Sequence, residues 1–426
     1  MQSVGTRPLL LINCRQLLTL RGTASPRSGG AMGEPGLIRN GAVLIHGATI
    51  ELVGPLDRVT RSLAARRAEC IDLRGGVVLP GFVDSHTHAL FAASRVDEYE
   101  ARIRGATYSE IAEAGGGIQA SARQIRTMSE RKLIRRLMEV VGRFVEHGTT
   151  TLEIKSGYGL EPAQELKMLR AIKETACRVI GELIPTLLIH DVPARLKPRR
   201  TAYLRLIVRR LIPEVVRRKL ADCFDVFCDR GYFSVAEART LLAAAAQAGL
   251  KLKLHAEQLA HTGAARMAAE MGAVSVDHLD HVSDADIRRL RKHGTIATLL
   301  PGSVLHLNSG RYPPARRLID AGVPVALASN FNPGSSPTLN MQMILALACS
   351  QMRMTPAEAI VAATINGAYA VGRGDRVGSL EPGKQADLTV MDVDDYREIP
   401  YYFGMNHCRL AIKKGRLIFS KRGEGL

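Results

Sequence analysis

The sequence predicts an α/β protein: a (β/α)8 TIM barrel with a small composite β-sandwich domain built from both ends of the chain. Three observations carry that expectation. Between residues 77 and 328, eight short apolar or β-branched runs alternate with longer segments of helical period. Four of those eight runs end in histidine, although the 426-residue chain has only 12. The flanks, 1–74 and 381–426, hold short hairpin-like strands joined by Gly- and Pro-rich turns, and neither could bury a core alone.

The strands are expected at Val77–Val83, Thr150–Ile154, Leu183–Ile189, Cys223–Phe227, Leu250–Leu254, Ala273–Val276, Thr295–Leu299 and Pro324–Ala328. Continuous apolar runs suit parallel strands covered on both faces. Helical period covers Arg131–Glu146, Pro162–Cys177, Ala202–Leu220, Val235–Ala248, Gly263–Met271, Asp284–Lys292 and Pro314–Ala321. Ser234 and Ser283 stand where N-caps are needed, and Gly148, Gly249 and Gly272 fall just past helix ends. A doubly wound sheet needs no eighth strand and usually opens on a Gly-rich turn; here the first run is followed by His-x-His instead. The flanks supply Leu9–Asn13, Ala42–Ile45 and Thr49–Val53, then Ala386–Val393, Arg409–Lys413 and Arg416–Ser420. The domain expectation is therefore 1–74 and 381–426 for the β-domain, with the barrel at 75–380 between them.

Composition narrows the function classes. With 46% apolar residues the chain is not disordered, and no apolar run approaches the ~18 residues of a membrane span. Leu9–Ile12 is too short for a signal core. Seven scattered cysteines without C-x-x-C argue against a disulfide framework and fit a reducing, cytoplasmic setting. The net charge of +17 raises nucleic acid as a partner, but no basic run is interleaved with aromatics and Trp is absent. The expectation is no nucleic acid and no membrane.

Active sites of such barrels lie at the C-terminal ends of the strands. Those ends carry His86 and His88, Lys155 with Tyr158, His190, Cys228 or Asp229, His255, His278, Pro301, and Asn330 with Asn332. In extended backbone, residues i and i+2 point the same way, so His86 and His88 can reach one ion, and His255 can add a third nitrogen. Three nitrogens leave positions open for water, the arrangement of a catalytic metal site. His278 is a candidate acid/base, because imidazole titrates near neutrality.

Several segments together resemble the amidohydrolase superfamily and, within it, the imidazolonepropionase family of histidine degradation. They are Pro80-Gly-Phe-Val-Asp-Ser-His-Thr-His88, Ser94-Arg95, Arg104-Gly-Ala-Thr-Tyr108, Gly115-Gly-Gly-Ile118, Glu153-Ile-Lys-Ser-Gly-Tyr-Gly-Leu160, Lys253-Leu-His-Ala-Glu-Gln258, Val276-Asp-His-Leu279 and Asn330-Phe-Asn-Pro-Gly-Ser335. The resemblance covers nearly the whole chain. It implies one Zn2+ or Fe3+ per subunit, held by His86, His88 and His255 with Asn330 at the fourth position. It implies substrate contacts from Arg95, Tyr158, His190, Gln258, Asn332, Gly334 and Ser335. The implied reaction is hydrolysis of the ring amide C–N bond of 4-imidazolone-5-propanoate to N-formimidoyl-L-glutamate, by a homodimer. Arg95 suits the substrate's carboxylate, which a guanidinium binds with two prongs.

Three positions depart from the family pattern. Asn330 stands where the last strand ordinarily ends in Asp, and an amide neither brings negative charge nor accepts a proton at neutral pH. Gln258 stands where some members have Glu, and Ile189-His190-Asp191 replaces the commoner Ala-His-Ala. Two other readings stay open: a sister hydrolase acting on another cyclic amide or amidine, and, prompted by Asn330 and the +17 charge, a metal-binding protein without turnover or a nucleic-acid-binding protein. The first departure also makes His278 the candidate for handling the water proton.

Overall fold

The computed structural model describes residues 7–106, 110–111 and 115–421. Thr107 and Tyr108 of the Arg104–Tyr108 segment lie outside them. The N-terminal flank contributes β1 (Leu9–Leu18), β2 (Leu37–His46), β3 (Thr49–Pro55), β4 (Glu69–Asp72) and β5 (Val77–Pro80). Eight strands follow: β6 (Phe82–Asp84), β7 (Thr149–Lys155), β8 (Glu182–Ile189), β9 (Cys223–Cys228), β10 (Lys251–Ala256), β11 (Ser275–His278), β12 (Ile296–Leu299) and β13 (Val325–Leu327). The chain ends with β14 (Leu388–Met391), β15 (Cys408–Lys413) and β16 (Arg416–Ser420).

Strands β6 to β13 lie side by side in sequence order, every pair parallel. The seam between β13 and β6 is closed by the backbone just past the strand ends. Asn330 N–H donates to the His86 carbonyl at 3.0 Å, and His88 N–H to the Phe331 carbonyl at 2.9 Å. Ser329 N–H adds a bond to Asp84 Oδ1 at 3.0 Å. The first and last strand ends are thus fastened together at His86, His88 and Asn330.

The helices pack outside for the reasons the sequence suggests. Glu130–Glu146 turns Leu133, Ile134, Leu137, Val140, Val141, Phe144 and Val145 toward the sheet, a heptad-like apolar stripe. Ser234 and Ser283 each close a capping box. Gly148, Gly249 and Gly272 take φ of +88°, +83° and +78° after their helices, where a side chain would be strained. The helix expected over 202–220 starts earlier and is interrupted: Arg200–Leu206 and Ile212–Arg217 flank a π turn at Ile207–Leu211. Pro213 lacks the N–H that would continue the regular ladder. Among the described residues, no helix is long and apolar enough to cross a membrane.

One expected strand proves to be two. Val77–Val83 breaks at Gly81, whose N–H bonds the Asp387 carbonyl and whose Cα leaves no room for a side chain against Thr150. Before the break, β5 pairs with β1 and β14; after it, β6 pairs with β7. Pro80 and Gly81 therefore carry the chain from one sheet into the other, and the terminal sheet reaches past the expected boundary at residue 74. That sheet runs β16-β15-β14-β5-β1-β2-β3, with β4 also on β1. It folds over itself, since Ala386 N–H reaches the Ala48 carbonyl and Gly383 N–H the Ile50 carbonyl, both at 2.9 Å. Leu11, Leu17, Val43, Val78, Leu388 and Leu410 fill its interior. Because β5 lies between β1 and β14, each flank completes the other.

The helix Gly367–Ala370 approaches β6 so closely that a Cβ on Gly367 would lie 2.6 Å from the Val83 carbonyl oxygen, which cannot move without disturbing the barrel. Gly367→Ala should destabilise the protein by ~1–3 kcal/mol, the usual cost of overpacking. Urea unfolding checks this; an unchanged midpoint would contradict the close approach.

Candidate active site

A cavity of ≈ 590 Å³ opens at the C-terminal end of the barrel. His88, Arg95, Tyr158, His190, His255, Gln258, His278, Asn330, Asn332, Gly334 and Ser335 all line it. His86 is fully buried beside them, its ring 4.4 Å from that of His255, 5.3 Å from His88 and 5.7 Å from His278, centroid to centroid. The expected metal ligands, acid/base and substrate contacts therefore gather at one place, whereas Lys155, Cys228, Asp229 and Pro301 of the expected strand ends do not line it.

Ligand atoms of His86, His88 and His255 all lie within 4.8 Å of one another. Nδ1 of His86 hydrogen-bonds Asp277 Oδ2 at 2.6 Å, and Nδ1 of His255 lies 2.9 Å from Asp225 Oδ2. The carboxylate bonded to His86 Nδ1 holds the proton there and leaves Nε2 with a bare lone pair, and the negative charge of Asp225 beside His255 Nδ1 favours the same tautomer. Nε2 of His86 is buried and has no hydrogen-bond partner among the described residues, while Nε2 of His255 and His88 sit 3.4 Å apart. Lone pairs buried face to face are unfavourable unless something positive lies between them. The donor set and these orphaned atoms fit a metal cation. Burial, reinforced by Lys155 and neighbouring imidazoles, holds His86 well below the usual imidazole range. Burial, then His190 and His255, do the same for His88. Both are thus neutral, the form that ligates.

Asn330 ends the last strand in left-handed backbone, φ +52°, a conformation Asn tolerates better than most residues. Its Nδ2 donates to Ser303 Oγ at 2.6 Å. That leaves Oδ1 buried and without a hydrogen bond among the described residues, an available but uncharged oxygen. His278 also has left-handed backbone, φ +82°, and its ring lies 5.4 Å from that of His255. Burial, with His255 adding to it, depresses its pKa well below the ordinary value. Its Nδ1 has no hydrogen-bond partner among the described residues.

Around this centre sit the other cavity residues. Arg95 pairs with Glu98, whose second oxygen accepts Gly117 N–H at 3.0 Å. Gly334 faces the Arg95 guanidinium so closely that a Cβ would overlap it. Arg102 donates to the Gly334 carbonyl at 2.9 Å and to His306 Nε2 at 3.0 Å. His190 stacks on His88 at 5.4 Å and 25°, and burial lowers its pKa to about 3. Tyr158 is buried, which pushes its phenol up and keeps it a donor. Asn332 lines the cavity and is also tied into its own loop. Its Oδ1 accepts from Gly334 N–H at 2.8 Å and Ser335 N–H at 2.7 Å, and its Nδ2 reaches the Asn330 carbonyl at 2.6 Å. The side chain shapes the loop that presents Gly334 and Ser335. Asp229 does the same for Gln258, accepting its N–H at 2.8 Å and that of Leu259 at 2.9 Å.

Sequence reasoning named Lys155 at a strand end but overlooked the buried charged layer it forms beneath the histidines with Glu153, Asp225, Lys253 and Asp277, all fully inaccessible. The signal was available, since Glu153-x-Lys155 and Lys253-x-His255 place charges two apart inside apolar strands, where they share one face. Lys155 Nζ lies 2.7 Å from Asp225 and 2.9 Å from Glu153. Burial opposes its charge, but Asp225, Glu153 and Asp277 outweigh that and raise its pKa. Glu98 and Arg102 were likewise missed, because nothing in a helix written Val96-Asp-Glu-Tyr-Glu-Ala-Arg102 marks which charges face a cavity.

Comparison with known proteins agrees with this geometry. Residues 77–418 match the amidohydrolase family, and the chain belongs to it. Over 416 residues it is 47% identical to the imidazolonepropionase of Geobacillus kaustophilus (strain HTA426), covering 97% of this chain and 98% of that one. It is 46% identical over 419 residues to the imidazolonepropionase of Geobacillus thermodenitrificans (strain NG80-2), covering 97% and 99%. Within the amidohydrolases, its place is therefore among the imidazolonepropionases. Among solved structures it shares the fold of the atrazine chlorohydrolase from Arthrobacter aurescens TC1 complexed with zinc, with TM-score 0.75 at 17% identity, covering 97% of this chain and 95% of that one.

The neutral histidines make metal-free stability depend on pH in a defined direction. Unfolded, each takes up a proton near pH 6.5; folded, His190 does so only near 3, and His86, His88 and His278 well below 6.5. Over that window the unfolded chain binds more protons, so stability is complete above pH 6.5 and is lost as pH falls toward the folded values. Thermal melts of the metal-free protein should show Tm falling steadily below about pH 6.5. A flat Tm down to about pH 5 would contradict neutral burial.

Proposed function

We propose that this chain hydrolyses the ring amide C–N bond of 4-imidazolone-5-propanoate to give N-formimidoyl-L-glutamate in histidine catabolism. The observation that carries this reading is the convergence of three ligating histidines and a guanidinium on one cavity. We further propose one Zn2+ per subunit in preference to Fe3+. The donors available, three neutral imidazoles and the Asn330 amide oxygen, bring no negative charge to offset a third positive one. When bound, such an ion lowers the pKa of water and polarises a carbonyl.

The chain's own residues do the rest. Arg95 binds the propanoate carboxylate through its planar fork, which Glu98 orients and the bare Cα of Gly334 leaves room for. Tyr158, His190, Gln258 and Ser335 line the space for the ring and hold it by hydrogen bonds. Neither Asn330 nor Gln258 can accept a proton, and Glu98 is committed to Arg95. Two neutral imidazoles that are not ligands remain, His190 and His278. We assign to His278, whose ring lies 5.7 Å from His86 and 5.4 Å from His255, the proton taken from the attacking water and returned to the ring nitrogen as the C–N bond breaks.

A homodimer is the proposed assembly. Leu305, Tyr401 and Phe403 are exposed and border a groove of ≈ 720 Å³, and Val96, Tyr99 and Ile103 lie exposed along one neighbouring helix. An apolar surface of this kind favours a protein partner. Sedimentation of the purified protein should give twice the chain mass; a monomer at micromolar concentration would remove the dimer.

Arg95→Met keeps the stem and removes the fork. Metal content should be unchanged, and kcat/KM for the carboxylated substrate should fall roughly 10- to 150-fold, the equivalent of a charged hydrogen bond of ~1.5–3 kcal/mol. An unchanged kcat/KM would take Arg95 out of the substrate site.

Asn330→Asp and His278→Ala test the division of labour. With His278 as the proton carrier, Asn330→Asp binds metal equally or more tightly and changes turnover modestly, whereas His278→Ala loses ~10²–10⁴-fold. A gain of that size on Asn330→Asp, from a wild type with negligible turnover of imidazolone propanoate, would favour a disabled site.

A further inference from the structure

We propose that Lys155 and Lys253 are positioning residues for the metal site, tying down the carboxylates that orient two of its histidines. This rests on the metal reading above. Lys155 and Lys253 are both fully buried, on β7 and β10. Lys155 Nζ bonds Asp225 Oδ2 at 2.7 Å, the same oxygen that lies 2.9 Å from His255 Nδ1. It also stands 3.7 Å from Asp277 Oδ2, the oxygen bound to His86 Nδ1. Lys253 Nζ lies 3.5 Å from that same Asp277 oxygen and is fixed by Ser275 Oγ at 2.7 Å and the Ser85 carbonyl at 3.2 Å.

Each orienting carboxylate is pinned at both oxygens. Asp225 Oδ1 accepts the backbone N–H of His255 at 3.1 Å, and Asp277 Oδ1 accepts Ser275 Oγ at 2.7 Å. The oxygen left to face each imidazole is the one held near an ammonium. Without the lysines, nothing positive would keep Oδ2 of Asp225 and Oδ2 of Asp277 inward, and three carboxylates, Glu153 included, would repel one another in a site closed to water. The imidazoles would then lose the partner that sets their ring angle and leaves Nε2 free. One lysine reaches both carboxylates, so the two ligands are oriented by a single connected unit rather than separately.

The control is Lys413, another fully buried lysine, whose Nζ bonds Asp387 at 2.6 Å and Thr151 Oγ1 at 3.1 Å and touches no histidine partner. The experiment measures Tm, Zn2+ affinity by competition with a chelator, and the visible spectrum of Co2+-loaded protein. Lys155→Met and Lys253→Met should each weaken Zn2+ binding ~10- to 100-fold and shift the Co2+ bands, as loss of a group behind a ligand does. Lys413→Met should lower Tm while leaving affinity and spectrum at wild-type values. The double variant Lys155→Met/Glu153→Gln restores the charge balance of the layer and relieves a purely structural penalty. Its affinity should nonetheless stay low, because the tie to Asp225 is still missing. Wild-type affinity and spectrum in the Lys155 and Lys253 variants would overturn the proposal, as would an equal loss in Lys413→Met or full recovery in the double variant. Wild type that binds no Zn2+ would overturn the metal reading itself, a separate result.

Discussion

Two buried carboxylate–imidazole contacts, Asp277 with His86 and Asp225 with His255, govern the chemistry available to this barrel. Each favours the imidazole proton on the side away from the cavity and a bare nitrogen toward its centre. The carboxylates can sit that deep only because lysines accompany them, and the lysines only because the carboxylates do. A buried ion pair of this kind is a poor source of stability, since desolvation offsets most of the attraction. What it provides is direction. Hydroxyls of Ser275 and Thr186 bond into the charged layer as well, so its members are held from several sides and one arrangement is favoured.

The same economy of position appears at the barrel seam. Hydrogen bonds between 86–88 and 330–331 close the sheet and simultaneously bring Asn330 beside the histidine pair. The left-handed backbone at His278 and Asn330 turns two strand ends inward at the point where the strands stop. Such conformations cost of order 1–3 kcal/mol each and persist where the surrounding structure holds them. Here the barrel supplies the rigid frame, and the loops after its strands supply Arg95, Tyr158, Gln258 and Ser335.

The architecture and the histidines at the strand ends were legible from spacing, whereas Arg95, Tyr158, Gln258, Asn332, Gly334 and Ser335 were singled out only through the family resemblance. Alternation of apolar runs with helical segments locates all eight barrel strands, and His-x-His, Lys-x-His and Asp-His mark three of their ends as chemical. What escaped is what spacing does not encode. The break at Gly81 depends on a neighbouring sheet that one run of Val77–Val83 cannot reveal, and the π turn at 207–211 depends on how Pro213 is accommodated. Glu98 and Arg102 went unnoticed, since only the folded loop at Gly334 shows what they face. Asn332 was legible as a residue of the site, but its use as a loop brace follows from a turn whose hydrogen bonds form only in three dimensions.

Asn330 sets the charge of the centre. In the function proposed above, an amide in place of a carboxylate brings no charge to the ion, and proton handling passes to an imidazole. Both consequences follow only if an ion sits among the three Nε2 atoms and the Asn330 oxygen. X-ray absorption at the zinc edge of purified, zinc-loaded protein reads that directly. The account predicts three imidazole nitrogens at ~2.0–2.1 Å, the remaining donors being oxygen. Sulfur in the coordination sphere, or fewer than three imidazoles, would contradict it.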